Sequence, residues 1–190
     1  MSFLGELLAT LGKRIIKRMP NIKPKIEQAP AAGGNYTPGR KGDKIEYIVI
    51  HVMQGTLKGT TKWFAMPEAE ASAHYSIGFD GNIVQHVQDT DTAWHAGNGA
   101  YNRRSIGIEL EGFIERGYFP DMMMGSLAKL ILYLAKEYNV EVSRQRIIGH
   151  NEVPSPDGTK MGGAGGHTDP GPKFPWGVLM ELLNNGKGAT

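Results

Sequence analysis

At 190 residues, with 40% hydrophobic and 21% charged residues, the chain has the make-up of one globular domain with a short extension, and wholesale disorder and fibrous folds are excluded. It contains no cysteine, so disulfides, thiol nucleophiles, thiolate zinc ribbons and iron–sulfur clusters are ruled out, and a metal site has only His, Asp and Glu to draw on. The net charge of +2 joins two unlike parts: residues 1–44 carry 9 Lys/Arg against 3 Asp/Glu, and the rest carry 12 against 16. A basic arm ahead of a mildly acidic body is the pattern expected where one end meets a polyanion or an anionic surface.

Phe3, Leu4, Leu7, Leu8, Leu11 and Ile15 recur at helical spacing with basic residues among and after them, which predicts a basic amphipathic helix over residues 1–19. Two readings of it stay open: docking on an anionic membrane or cell-wall surface, or packing on its own domain. The stretch is a poor secretory signal, because its apolar run precedes Lys13, Arg14, Lys17 and Arg18 and contains Glu6. No apolar run approaches the ~18 residues of a membrane span. The expectation is a protein made in the cytoplasm with no classical signal peptide, so that any action outside the cell depends on another route of release. Residues 20–44, rich in Pro, Gly, Ala, Asn and Lys, have linker composition, and the domain is expected over 45–190.

The body alternates strand and helix signals. Ile45–Val52 is an apolar β-rich run that reads as a buried strand. A helical stretch follows around Gly59–Met66. Ala73–Phe79 and Ile83–Val87 flank Asp80-Gly81-Asn82, a hairpin signal. Ser105–Leu110 alternates, with Ile106, Ile108 and Leu110 on one side and Gly107 and Glu109 on the other. Leu127, Leu130, Ile131, Leu134 and Tyr138 make the stripe of a long amphipathic helix. Arg146–Gly149 is short and β-like, Pro154–Pro175 is a Gly/Pro-rich loop, and Trp176–Asn184 is expected to be a closing helix. Together these predict an α/β fold: a single domain with a central mixed β-sheet flanked by helices, preceded by the basic helix and linker.

Two histidines end apolar β-like runs, His51 after Ile48-Val49-Ile50 and His150 after Ile147-Ile148-Gly149, and polar residues at strand ends commonly line a cleft at the sheet's edge. A third polar cluster is His167-Thr168-Asp169, stiffened by Pro170 and Pro172. Two His and one carboxylate with a fourth position open to water is a catalytic zinc arrangement. Histidines at strand ends also serve as hydrogen-bonded structural residues, and spacing does not separate the two readings. Glu109, beside the missing side chain of Gly107, is a candidate proton carrier, with Glu111 as its rival.

The stretches IVIH (48–51), SAHYSIGFDGNIVQHV (72–87), AWHAG (93–97), SIGIELEG (105–112), GHNE (149–152) and TDPGPKFPW (168–176) together resemble the zinc-dependent N-acetylmuramoyl-L-alanine amidases of the type-2 class, a group that includes phage lysins and peptidoglycan-recycling amidases and is related to the peptidoglycan recognition proteins. The resemblance spans about residues 45–180. It implies one zinc ion per chain on His51, His150 and Asp169, and Glu109 as the catalytic glutamate. His167 stands where many members carry an oxyanion-stabilising Lys, a role an imidazole can also fill. Ala73 stands where some phage members carry an assisting Tyr, which places more weight on Glu109. His74, Trp94, His95, Asn98 and Arg103 are the expected substrate-binding residues, whereas His86 reads as a surface or strand residue. The insertion Pro154–Gly166 reads as a substrate-facing loop or as a plain spacer.

The activity so implied is hydrolysis of the amide between N-acetylmuramic acid and L-alanine in peptidoglycan, most simply by a cell-wall lysin. The alternatives are a non-catalytic peptidoglycan-binding module and an intracellular amidase that recycles muropeptides. The expected partners are peptidoglycan or muropeptide, and an anionic membrane or wall surface through residues 1–19. No nucleic acid is expected, and the chain is expected to be a monomer.

Overall fold

A computed structural model describes residues 23–187; the helix expected over residues 1–19 lies outside the described residues. The strands are β1 (Glu27–Gln28), β2 (Tyr36–Thr37), β3 (Tyr47–Val52), β4 (Tyr75–Ile77), β5 (Ile83–Gln85), β6 (Thr92–Ala93), β7 (Ser105–Leu110) and β8 (Ile147–Gly149). The helices are α1 (Leu57–Phe64), α2 (Gly99–Arg104), α3 (Asp121–Tyr138) and α4 (Trp176–Lys187). Six strands form one sheet in the order β1-β5-β4-β7-β3-β8, while β2 and β6 pair separately. The central strands β4, β7, β3 and β8 run parallel; β5 returns antiparallel to β4 through the Asp80-Gly81-Asn82 turn, and β1 lies parallel to β5. The sheet is mixed, and it forms one domain with its flanking helices. Among the described residues no helix is long and apolar enough to cross a membrane.

The two faces of the sheet have different fates, and strand alternation decides which residue meets which. Ile48, Ile50, Ile106, Ile108, Leu110, Tyr75 and Ile77 form one face, fully or almost fully buried against Leu127, Leu130, Ile131 and Leu134 of α3 and Leu179 and Leu183 of α4. Burying each such side chain is worth about 1.5–3 kcal/mol, so this layer supplies most of the stabilising burial. Helix α3 stops at Asn139, which takes a left-handed conformation at φ 55° and returns its N–H to the Ala135 carbonyl. The opposite face carries Val49, His51, Ser105, Gly107 and Glu109, and is covered mainly by loops, with Tyr101 of the short α2 packed against the cluster around Val49.

Residues 23–44 correct the expectation of a linker. Strand β1 pairs with β5 and β2 with β6. Between them, the fully buried Asn35 donates from Nδ2 to the carbonyls of Phe64 and Met66. Arg40, also buried, donates to the carbonyls of Asp89, Arg103 and Ser105. The segment is a strap docked through its backbone, through these two polar side chains, and through Ile26, Ala31 and Tyr36, which pack on the apolar clusters. Its Gly/Pro/Asn-rich composition is shared by linkers and by such extended, turn-rich straps, which is why composition does not separate them.

Candidate metal centre

Parallel pairing brings the chemistry-bearing residues to one edge. His51 near the end of β3 is in register with Glu109 on β7, and Ile50 with Gly149 of β8, immediately before His150. Alternation turns His51 and Glu109 to the loop-covered face. Asp169 arrives from the long loop after β8, held where the Asn151 N–H donates to its carbonyl at 2.8 Å.

His51 Nδ1 lies 3.0 Å from Asp169 Oδ2, and His150 Nδ1 lies 3.2 Å from Oδ1. One ligand atom from each residue falls within 4.8 Å of the others, and all three residues are buried. Two imidazole nitrogens and a carboxylate oxygen converging without a lysine or arginine among them are a donor set suited to a divalent metal. Burial pushes the Asp169 carboxyl up, but its contacts with His150 and His51 outweigh this and hold the group well below the usual carboxylate range. Burial lowers His51 despite the pull of Asp169, which favours the neutral, ligating imidazole.

Glu109 faces this cluster with its Oε2 buried and without a hydrogen-bond partner. Burial first, and the charge of Asp169 second, push its carboxyl up to about 8, the range of a group that both takes and gives protons near neutrality. The rival Glu111 is committed elsewhere: its two oxygens accept from the Leu57 and Phe79 N–H groups, fixing the start of α1 and the turn after β4. His167 stacks on His150, with ring centroids 4.4 Å apart and planes at 17°, and keeps a face to solvent.

A cleft of about 560 Å³ opens over the cluster, lined by His51, Glu109, His150, His167 and Asp169 together with Trp94, His95, Phe64, Gln54 and Ile114. Of the expected substrate-binding residues, Trp94 and His95 lie in this lining and the others do not. His74 is fully buried, accepts from the Gly107 N–H at Nδ1 and contacts the Asp91 carbonyl through Nε2. Burial, then the charge of Arg40, drives it well below its ordinary value, so it is a neutral structural ring. Asn98 caps α2, accepting from the Ala100 and Tyr101 N–H groups and donating to the Pro154 carbonyl. Arg103 pairs with Asp43 at 2.6 Å. These three placements lie outside the cleft lining. His86, expected at the surface or on a strand, is buried just past β5: its backbone continues the pairing with His74 and Ala31, its Nδ1 donates to the Ala29 carbonyl and its ring meets Phe64 edge-on.

The insertion Pro154–Gly166 is not a plain spacer. Ala164 N–H donates to the Gly97 carbonyl, and His167 N–H donates to Gly162. A Cβ on Gly163 would lie 2.2 Å from the Ala96 oxygen, and one on Gly165 2.3 Å from His167 Nε2. Glycine is required at 163, where backbone packs on backbone at φ 62°, while at 165 its missing side chain makes room for the His167 ring. Gly165 and Gly166 thereby form one wall of the cleft.

Sequence reasoning missed Ser105 and Arg40. Ser105 shares the strand face of Glu109 and carries a hydroxyl, a signal alternation alone could have raised. Arg40 gave none, since an arginine in a Gly/Pro-rich segment ordinarily faces water.

Residues 41–172 match the sequence model of the family described as N-acetylmuramoyl-L-alanine amidase. N-acetylmuramoyl-L-alanine amidase A of Achromobacter lyticus is 32% identical over 169 residues, covering 84% of this chain and 93% of that protein. The 1,6-anhydro-N-acetylmuramyl-L-alanine amidase AmpD of Haemophilus influenzae is 36% identical over 115 residues, 57% of this chain and 56% of its own length. Among solved structures, an AmpD crystal structure superposes with a TM-score of 0.67 at 25% identity, covering 86% of this chain and 97% of that one. An endolysin amidase of Clostridium intestinale reaches 0.64 at 20% identity, over 87% and 99% of the two chains, and speaks for the fold alone. The chain belongs to the type-2 N-acetylmuramoyl-L-alanine amidase family, and it is an amidase in its own right.

Proposed function

We propose that this chain hydrolyses the amide between N-acetylmuramic acid and L-alanine, with one zinc ion held by His51, His150 and Asp169. The observation that carries this reading is the convergence of those three ligands beside Glu109, on one face of one sheet edge. A zinc ion held there would supply Lewis acidity toward the attacking water and the scissile carbonyl. Glu109 then takes the proton of the attacking water at its unpartnered Oε2 and delivers it to the departing alanine amine. His167, at the cleft rim, directs a ring N–H toward the oxygen on which charge develops. Trp94, with its indole Nε1–H donating to Thr37 Oγ1, offers a fixed flat wall to the substrate. In a metal analysis the purified chain is expected to carry one zinc, and His51→Ala and Asp169→Ala to lose it. Full metal content in both variants would remove them from the ligand set.

The reading extends to a cell-wall lysin that acts on peptidoglycan after release from the cytoplasm, with the basic residues before position 20 drawn to an anionic surface. Deleting residues 1–22, which spares the docked strap, is expected to lower lysis of whole cells more than cleavage of a soluble muropeptide; equal losses would argue against a targeting arm. The second reading, recycling of soluble muropeptides, is favoured by the match to relatives named for the 1,6-anhydro substrate. It uses the same chemistry on a smaller molecule.

A further inference from the structure

We propose that Ser105 and His95 are positioning residues which, through a directed chain of hydrogen bonds, present His51 to the metal with its Nδ1 lone pair forward. The proposal rests on the reading of His51 as a ligand. The direction of the chain is set at its far end. The Tyr101 carbonyl can only accept, so the 2.6 Å contact from Ser105 Oγ is a donation by the hydroxyl. Ser105 Oγ therefore offers a lone pair to His95 Nε2, 3.1 Å away, which must carry the ring's hydrogen. A buried neutral imidazole has one N–H, so His95 Nδ1 is an acceptor. It receives the hydrogen of His51 Nε2 at 3.0 Å. His51 Nδ1 is then left as a lone pair, and it faces Asp169 Oδ2 at 3.0 Å. Two acceptors at that distance repel each other unless a cation serves both, and a metal ion does so.

The strand is built for this chain. Ser105, Gly107 and Glu109 share one face of β7. A Cβ on Gly107 would lie 2.5 Å from His95 Cγ, so glycine there makes the room the ring occupies. Arg40 donates to the Ser105 and Arg103 carbonyls and secures the start of the strand. The motif Ser105-Ile106-Gly107-Ile108-Glu109 thus supplies an acceptor for His95, space for its ring, and the carboxylate of the site.

The test uses the full zinc-loaded chain and a chromogenic chelator as competitor. Partners behind a metal ligand typically change affinity about 10–100-fold, so Ser105→Ala and His95→Met are expected to weaken zinc binding by about that factor, while His95→Gln, whose amide can accept from His51 and donate to Ser105, stays within about threefold of the parent. Long-range proton–nitrogen correlation spectra of the unaltered chain are expected to show His95 protonated at Nε2, and Ser105→Ala to populate both tautomers. Ser105→Ala binding zinc as tightly as the parent, His95→Met matching His95→Gln, or His95 protonated at Nδ1 in the parent would each overturn the proposal. A parent chain that binds no zinc would instead strike at His51 as a ligand, and the tautomer spectrum would still decide the hydrogen-bond chain.

Discussion

His51 and Glu109 are opposite one another in register on adjacent parallel strands, which fixes the spacing of the proposed ligand and proton carrier through the sheet rather than through a loop. Sites built on strands hold such spacing more closely than sites on loops. Glu109→Gln is therefore expected to leave the fold and metal content unchanged and to lower turnover about 10²–10⁴-fold. Parallel metal analysis and steady-state kinetics check this; a rate near that of the parent would release Glu109 from its role.

The same carboxyl makes the metal-free protein sensitive to pH. Its native value of about 8 lies above the unfolded one, so between the ordinary Glu value near 4.3 and about 8 the folded chain holds more protons. Its contribution to stability is full below about 4.3 and declines as the pH rises through about 8. Asp169 has the opposite sign: held low, its contribution is present above the ordinary Asp value near 3.9 and is lost as the pH falls from there toward its depressed native value. Melting curves of metal-free protein between about pH 5 and 8.5 are expected to show a decline relative to Glu109→Gln. Parallel profiles would contradict the burial of this charge.

Gly165 seats His167. A Cβ there would meet His167 Nε2 at 2.3 Å and push the ring off His150. Gly165→Ala is expected to keep its metal and lose up to about 10² in kcat, the scale for a displaced oxyanion donor. Unchanged kcat would detach His167 from the reaction.

Arg40→Met tests whether the strap belongs to the domain. It leaves the carbonyls of Asp89, Arg103 and Ser105 without their buried donor, for an expected loss of about 2–4 kcal/mol. Urea unfolding measures it. A change within about 0.5 kcal/mol, as for ordinary surface substitutions, would return the segment to linker status.

What was legible in the sequence follows from what carries a periodic signal. Strand β7 coincides with Ser105–Leu110 because its alternation is clean, and α3 announces itself through its Leu/Ile stripe. The Asp-Gly turn identifies the β4–β5 hairpin for a conformational reason: Gly81 sits at φ 81°, the region glycine favours. The strap is invisible because it docks largely through backbone groups and the polar side chains of Asn35 and Arg40, and the apolar Ile26, Ala31 and Tyr36 that it packs down follow neither a strand nor a helix period. The histidines are partly legible. His51 and His150 mark themselves by ending strands, whereas His74 and His95 differ from them only in the neighbours that folding supplies: a Gly107 N–H for one ring and the Ser105 hydroxyl for the other. The family resemblance implies the ligand set, and only the structure shows that five of the six histidines form one column, from His74 through His95, His51 and His150 to His167.

The most direct test is to identify the bond broken in purified peptidoglycan, with and without metal chelation. The expected result is release of new N-terminal L-alanine without new reducing sugar ends, abolished by chelator and restored by zinc. New reducing ends, cleavage within the stem peptide, or alanine release indifferent to chelation would contradict the zinc-dependent amidase assignment.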